Sequence, residues 1–104
     1  MAASPTQLTL KLLREEGWNV EVVERWIPGA NIRKDLFGFI DLVAIRSGMV
    51  LAVQATSYSN ISARVKKIEN AELLSEIRKC SWHIWVIGWR KQNNRWVHKI
   101  VDCS

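Results

Sequence analysis

Two polar residues sit inside strands that are otherwise apolar and branched, and this pattern constrains the fold most. Gly38 to Arg46 and Met49 to Thr56 both read as strands, with Ser47-Gly48 between them as a two-residue hairpin turn. Asp41 interrupts the first run, Phe39-Ile40-Asp41-Leu42-Val43, and Gln54 interrupts the second, Leu51-Ala52-Val53-Gln54-Ala55-Thr56. A carboxylate buried in such a run without a partner costs several kcal/mol, so it needs a reason to be there. The turn fixes the register: Arg46 pairs with Met49, Val43 faces Ala52, and Asp41 faces Gln54. Opposed residues share one sheet face with Cβ atoms about 5 Å apart. Thr56 follows two residues later on that face. A carboxylate, an amide oxygen and a hydroxyl therefore come together, and the Ala55 carbonyl can add another oxygen. This is a half-site for a hard divalent cation such as Mg²⁺ or Mn²⁺. The plainer alternative is a cross-strand Asp–Gln hydrogen bond on a solvent-facing sheet surface.

The rest of the chain builds an α/β layer around this hairpin. Ser4 caps a helix that Pro5 opens, Leu8, Leu12 and Leu13 recur at helical spacing, and Gly17 ends it. Trp18 to Trp26 reads as a strand, and Ile27 to Phe37 as a loop broken by Pro28-Gly29. After the hairpin, Ile61, Val65 and Ile68 mark a helical face; Asn70 interrupts the helix before Ala71 to Lys79 resumes it. Trp82 to Arg90 and Arg95 to Val101 are strands around a turn at Lys91 to Asn94. The order is α-β-β-β-α-β-β, one domain over residues 1–104.

Charge points to a polyanionic partner. Fifteen basic and ten acidic residues leave a formal charge of +5, which favours DNA, with RNA equally compatible. Arg33 and Lys34 precede the Asp41 strand, and Arg64, Lys66 and Lys67 follow the Gln54 strand, so both clusters flank the proposed site as candidate phosphate contacts. No run reaches the roughly 18 apolar residues of a membrane span. Met1 to Leu13 lacks the pattern of a secretory signal, so a cytoplasmic protein with reduced Cys80 and Cys103 is expected.

The helix, the strand, Gly38-Phe39-Ile40-Asp41, then Val53-Gln54-Ala55-Thr56 and a basic helix resemble the PD-(D/E)XK nuclease superfamily. Within it they are most similar to small archaeal-type Holliday-junction resolvases and to phage-associated VRR-NUC nucleases, which use Gln as the first residue of the triplet. The resemblance runs from the first helix to Trp89. It implies a restriction-endonuclease-like αβββαβ core, with a central mixed sheet flanked by helices. It also implies a metal-dependent DNA endonuclease hydrolysing phosphodiesters, on branched or otherwise structured DNA, in a bacterial or phage-infected cell. Asp41 and Gln54 would bind Mg²⁺ or Mn²⁺. Thr56 stands where the family has its lysine. Either Arg64 or Lys67, on the following helix, would then supply the missing cation, or the metal alone would generate the nucleophile by acidifying its bound water. The family's extra helix acid corresponds best to Gln7, with Glu16 and Glu24 as the charged alternatives. Resolvases act as dimers, which implies a homodimer. A nucleic-acid-binding module that kept the nuclease fold without catalysis is the alternative function, and a protein-interaction domain is a third.

Two other constellations compete. Cys80, His83, His98 and Cys103 suggest zinc, but a hairpin centred on Asn93-Asn94 pairs His98 with Trp89, leaving His83 and His98 about 20 Å apart. Of the six tryptophans, those at 82, 85, 89 and 96 read mostly as packing. Trp26, beside the cationic loop, is the better candidate to meet a nucleic acid.

Overall fold

Ser4 and Pro5 start the first helix as their chemistry dictates. The Ser4 Oγ accepts a hydrogen bond from the Gln7 N–H at 3.1 Å, and Pro5 fills the first turn of α1 (Pro5–Glu15). In the computed structural model, which describes residues 3–104, α1 is followed by β1 (Asn19–Val22), β2 (Arg25–Ile27), β3 (Ile32–Lys34), β4 (Leu42–Arg46) and β5 (Met49–Ser57). A 3-10 turn (Tyr58–Asn60), α2 (Ile61–Glu69) and α3 (Leu74–Lys79) lead to β6 (His83–Gln92) and β7 (Arg95–Asp102). Met1 and Ala2, part of the stretch read above against a secretory signal, lie outside the described residues. Among the described residues, no helix is long and apolar enough to cross a membrane.

The main sheet has the order β1-β4-β5-β6-β7, with β5 and β6 parallel and the other neighbours antiparallel. Both hairpin turns follow from residues that tolerate positive φ. Ser47 and Gly48 sit at 49° and 80°, and Asn93 and Asn94 at 51° and 61°. Such conformations match the strand twist. The turn sets the expected register, with Arg46 opposite Met49 and Val43 opposite Ala52.

Helices cover both faces, so the central strand β5 is buried on both sides. Leu51, Val53 and Ala55 pack with Leu13, Trp18 and Trp89 on the α1 side. Ala52 packs with Ile61, Ile68, Ile77 and Ile84 on the α2–α3 side. Residues alternate along a strand, so Gln54 and Thr56 share the α2 side with Ala52. Gly88 of β6 is required there: an added Cβ would meet the Ile61 side chain at 2.4 Å and the Tyr58 Cα at 3.2 Å.

Three expectations change. The stretch Trp18–Trp26 is not one strand. It leaves the sheet after Val22, where the Val23 and Glu24 N–H groups both turn onto the Asp41 carbonyl, at 2.8 and 3.2 Å. The supposed loop from Ile27 to Phe37 contains β3, which pairs with β2 in a separate two-stranded sheet around Pro28-Gly29. Finally, β4 starts at Leu42, because Phe37 and Gly38 adopt positive φ and Leu36 bridges Ile40, curling residues 36–40 into a turn.

Candidate metal centre

Asp41 lies one residue before β4, and its backbone is held from two sides. Its N–H donates to the Val53 carbonyl at 2.8 Å, while its own carbonyl anchors Val23 and Glu24. The ladder thus ends at Leu42–Val53, and Asp41 meets Gln54 through its side chain instead of as a further rung. Asp41 Oδ2 accepts from Gln54 Nε2 at 2.5 Å and from the Ala55 N–H at 2.9 Å. The carboxyl is 2% exposed. Burial pushes its pKa from 3.8 up to about 8, against the pull of the Ala55 N–H, and the neighbouring Asp35 and Glu24 carboxylates push the same way.

Those neighbours complete a cluster. One carboxylate oxygen from each of Glu24, Asp35 and Asp41 lies within 4.8 Å of the other two. Glu24 comes from the point where the chain leaves β1, and Asp35 from the residue after β3. The Thr6 hydroxyl donates to Glu24 at 3.2 Å and Arg33 approaches it at 3.5 Å. Lys67 Nζ, from α2, donates to Asp35 Oδ2 at 2.8 Å.

Gln54 adds a second observation beside the carboxylates. Its amide nitrogen is used on Asp41. Its Oε1 is sealed from solvent and has no hydrogen-bond donor among the described residues. Leaving such an acceptor unmade costs about 1–3 kcal/mol. A hard cation satisfies an amide oxygen and also offsets three crowded carboxylates. The donor set therefore fits Mg²⁺ or Mn²⁺. Ala55 contributes by direction: within a strand a residue's N–H and C=O point to the same edge. Its N–H reaches Asp41, so its carbonyl also faces the edge beyond which β4 has ended.

The open cleft over this centre has a volume of about 440 Å³. Its walls include Thr56, Ser57 and Asn60, together with the cations Arg33, Arg64 and Lys67. Thr56 is buried in the wall and brings no charge. Among the described residues Arg64 makes no ion pair. Lys34 lies across β2–β3 from Arg25 and lines a different hollow, while Lys66 projects from α2 into solvent; neither borders the cleft.

Of the three positions considered for the extra acid, Glu24 is the one in the cluster. Glu16 caps the end of α1, where its carbonyl accepts from Arg46, and Gln7 lines a neighbouring cleft. Asp35 was not foreseen. In Arg33-Lys34-Asp35 it reads as one more charge in a solvated loop, and only the turn at residues 36–40 carries it back over Asp41. Among the described residues, Cys80, His83, His98 and Cys103 form no ligand group, and His98 does pair with Trp89. No family model, curated protein or solved structure matches the chain.

Proposed function

We propose that the chain is a divalent-metal-dependent endonuclease that hydrolyses phosphodiester bonds in DNA, on a restriction-endonuclease-like core. The observation that carries this reading is the convergence of Glu24, Asp35 and Asp41 beside the unpartnered Gln54 Oε1. The strand order, with β5 and β6 parallel around an α crossover, suits that core. Asp41, Asp35, Glu24 and Gln54 would hold Mg²⁺ or Mn²⁺, with the Ala55 carbonyl as a further oxygen. When bound, such an ion supplies a Lewis acid for the phosphoryl oxygen and a water made acidic enough to act as nucleophile.

The chain's own residues divide the remaining work. Lys67 holds Asp35 in place and puts a cation at the cleft wall, the charge that Thr56 lacks. Arg64, which makes no ion pair among the described residues, and Arg33, which pairs with Glu24, line the same cleft and would meet the phosphates on either side of the reacting one. The homodimer implied by the resemblance has a candidate seam in β7. This eight-residue edge strand leaves one backbone edge unpaired, with Trp96 and Ile100 exposed on one face.

A non-catalytic binding module remains the second reading, favoured by one observation: the family's lysine position holds a buried Thr56. Incubation with linear, single-stranded, flapped and four-way DNA separates the two, using Mg²⁺ or Mn²⁺ against chelator. Cleavage that needs metal supports the enzyme. Salt-sensitive binding with no cleavage in any arm supports the module.

A further inference from the structure

The β2–β3 hairpin has features that the metal centre does not use. Residues 25–34 carry Arg25, Arg33 and Lys34 and no acid. Trp26 is opposite Arg33, so the two share one face. Trp26 is 54% exposed, and among the described residues no aromatic ring or cation sits over it. That contrasts with Trp18, Trp85 and Trp89, which are packed into the sheet. Trp26 and Arg33 line a cleft of about 260 Å³ with Arg25, Gln7 and Thr6. This cleft shares Ser4, Thr6, Glu24 and Arg33 with the cleft over the metal centre, so the two adjoin.

We propose that this second cleft is a nucleotide subsite, which takes one unpaired nucleotide next to the phosphate at the metal centre. Its three components match a nucleotide's three parts. The Trp26 ring offers a stacking platform that accepts any base. Arg33 and Arg25 face the backbone phosphate. The Gln7 amide presents one donor side and one acceptor side to a base edge. Paired bases within a duplex have both faces covered by stacking, so the ligand is a nucleotide from a single strand, gap, flap or branch. Its place beside a scissile phosphate rests on the nuclease reading. The stacking itself does not.

Fluorescence anisotropy tests this, using a labelled oligodeoxythymidylate, an oligouridylate and a blunt duplex of equal length, all in EDTA. Chelator keeps the metal centre out of the measurement, so failure of the nuclease reading leaves this result untouched. The wild type is expected to bind the single strands more tightly than the duplex. Trp26→Ala should weaken single-strand binding about tenfold or more, Trp26→Phe should restore most of it, and Arg33→Ala should flatten its salt dependence. Preference for the deoxy over the ribo strand, or the reverse, names the natural source. The proposal is overturned by Trp26→Ala binding single strands like the wild type, or by a wild type that prefers duplex. It is also overturned if neither strand binds.

Discussion

At the residue scale, Asp41 is the group on which both stability and the proposed metal binding turn. Its folded pKa of about 8 exceeds its ordinary 3.8, so between these values the folded state holds more protons than the unfolded one. The Asp41 contribution to the stability of the metal-free protein should therefore be full below about pH 4 and fall as pH rises toward 8. Asp41→Asn should remove that fall while keeping the fold, because Asn has nearly the same shape; thermal melts across pH read both. Metal uptake displaces the same proton, so Mn²⁺ affinity should rise over this window. Gln54→Glu separates the two roles of the site. A fourth carboxylate in the cluster should cost the metal-free protein on the order of a few kcal/mol. It should also tighten Mn²⁺ binding about tenfold or more through added ligand charge. Unchanged stability and affinity would mean that Gln54 faces neither the acids nor an ion. Asp41 and Gln54 were legible from sequence because polar residues in branched apolar runs are costly, and a two-residue turn fixes register. Asp35 was illegible because no period or pairing rule links it to Asp41; only two residues at positive φ, Phe37 and Gly38, do so.

At the element scale, α2 is the part that finishes the site, and its seat depends on Gly88. The close approach of Ile61 and Tyr58 leaves no room for a methyl group. Gly88→Ala should therefore lower stability by about 1–3 kcal/mol, and trimming Ile61 to Val should recover part of the loss. A melting temperature unchanged in Gly88→Ala would contradict that seat. The same helix brings Lys67 to Asp35. Lys67→Ala should reduce cleavage about a hundredfold if its charge serves the reacting phosphate. Thr56→Lys in that background should return part of the rate, since it puts an ammonium on the same wall of the cleft. Rates for the four combinations decide this; full activity in Lys67→Ala would remove the helix from the chemistry. Helix α1, the β4–β5 hairpin and the β6–β7 hairpin could be read from caps, spacing and turn residues. The β2–β3 hairpin could not, because three-residue strands are too short to show a period, and Pro28-Gly29 looked like a plain loop.

At the scale of the whole molecule, charge and topology act together. The cations over the cleft come from two separate elements, β3 and α2, so a backbone lying in the cleft would meet charge from both. Removing Arg33 and Arg64 together should reduce the log–log salt slope of DNA binding by roughly two units, about one per lost phosphate contact. Sedimentation should give a dimer, and Trp96→Lys with Ile100→Lys should return it to monomer; a wild-type monomer would remove β7 as a seam. The layered α/β architecture was legible from element order, whereas the cluster was not, since it draws on the ends of β1, β3 and β4. The most direct measurement is calorimetric titration of Mn²⁺ into the wild type, Asp41→Asn and Asp35→Asn. The wild type should show a single site per chain, lost in Asp41→Asn and clearly weakened in Asp35→Asn. A wild type that takes up no Mn²⁺, or variants that bind it as the wild type does, would contradict the metal centre.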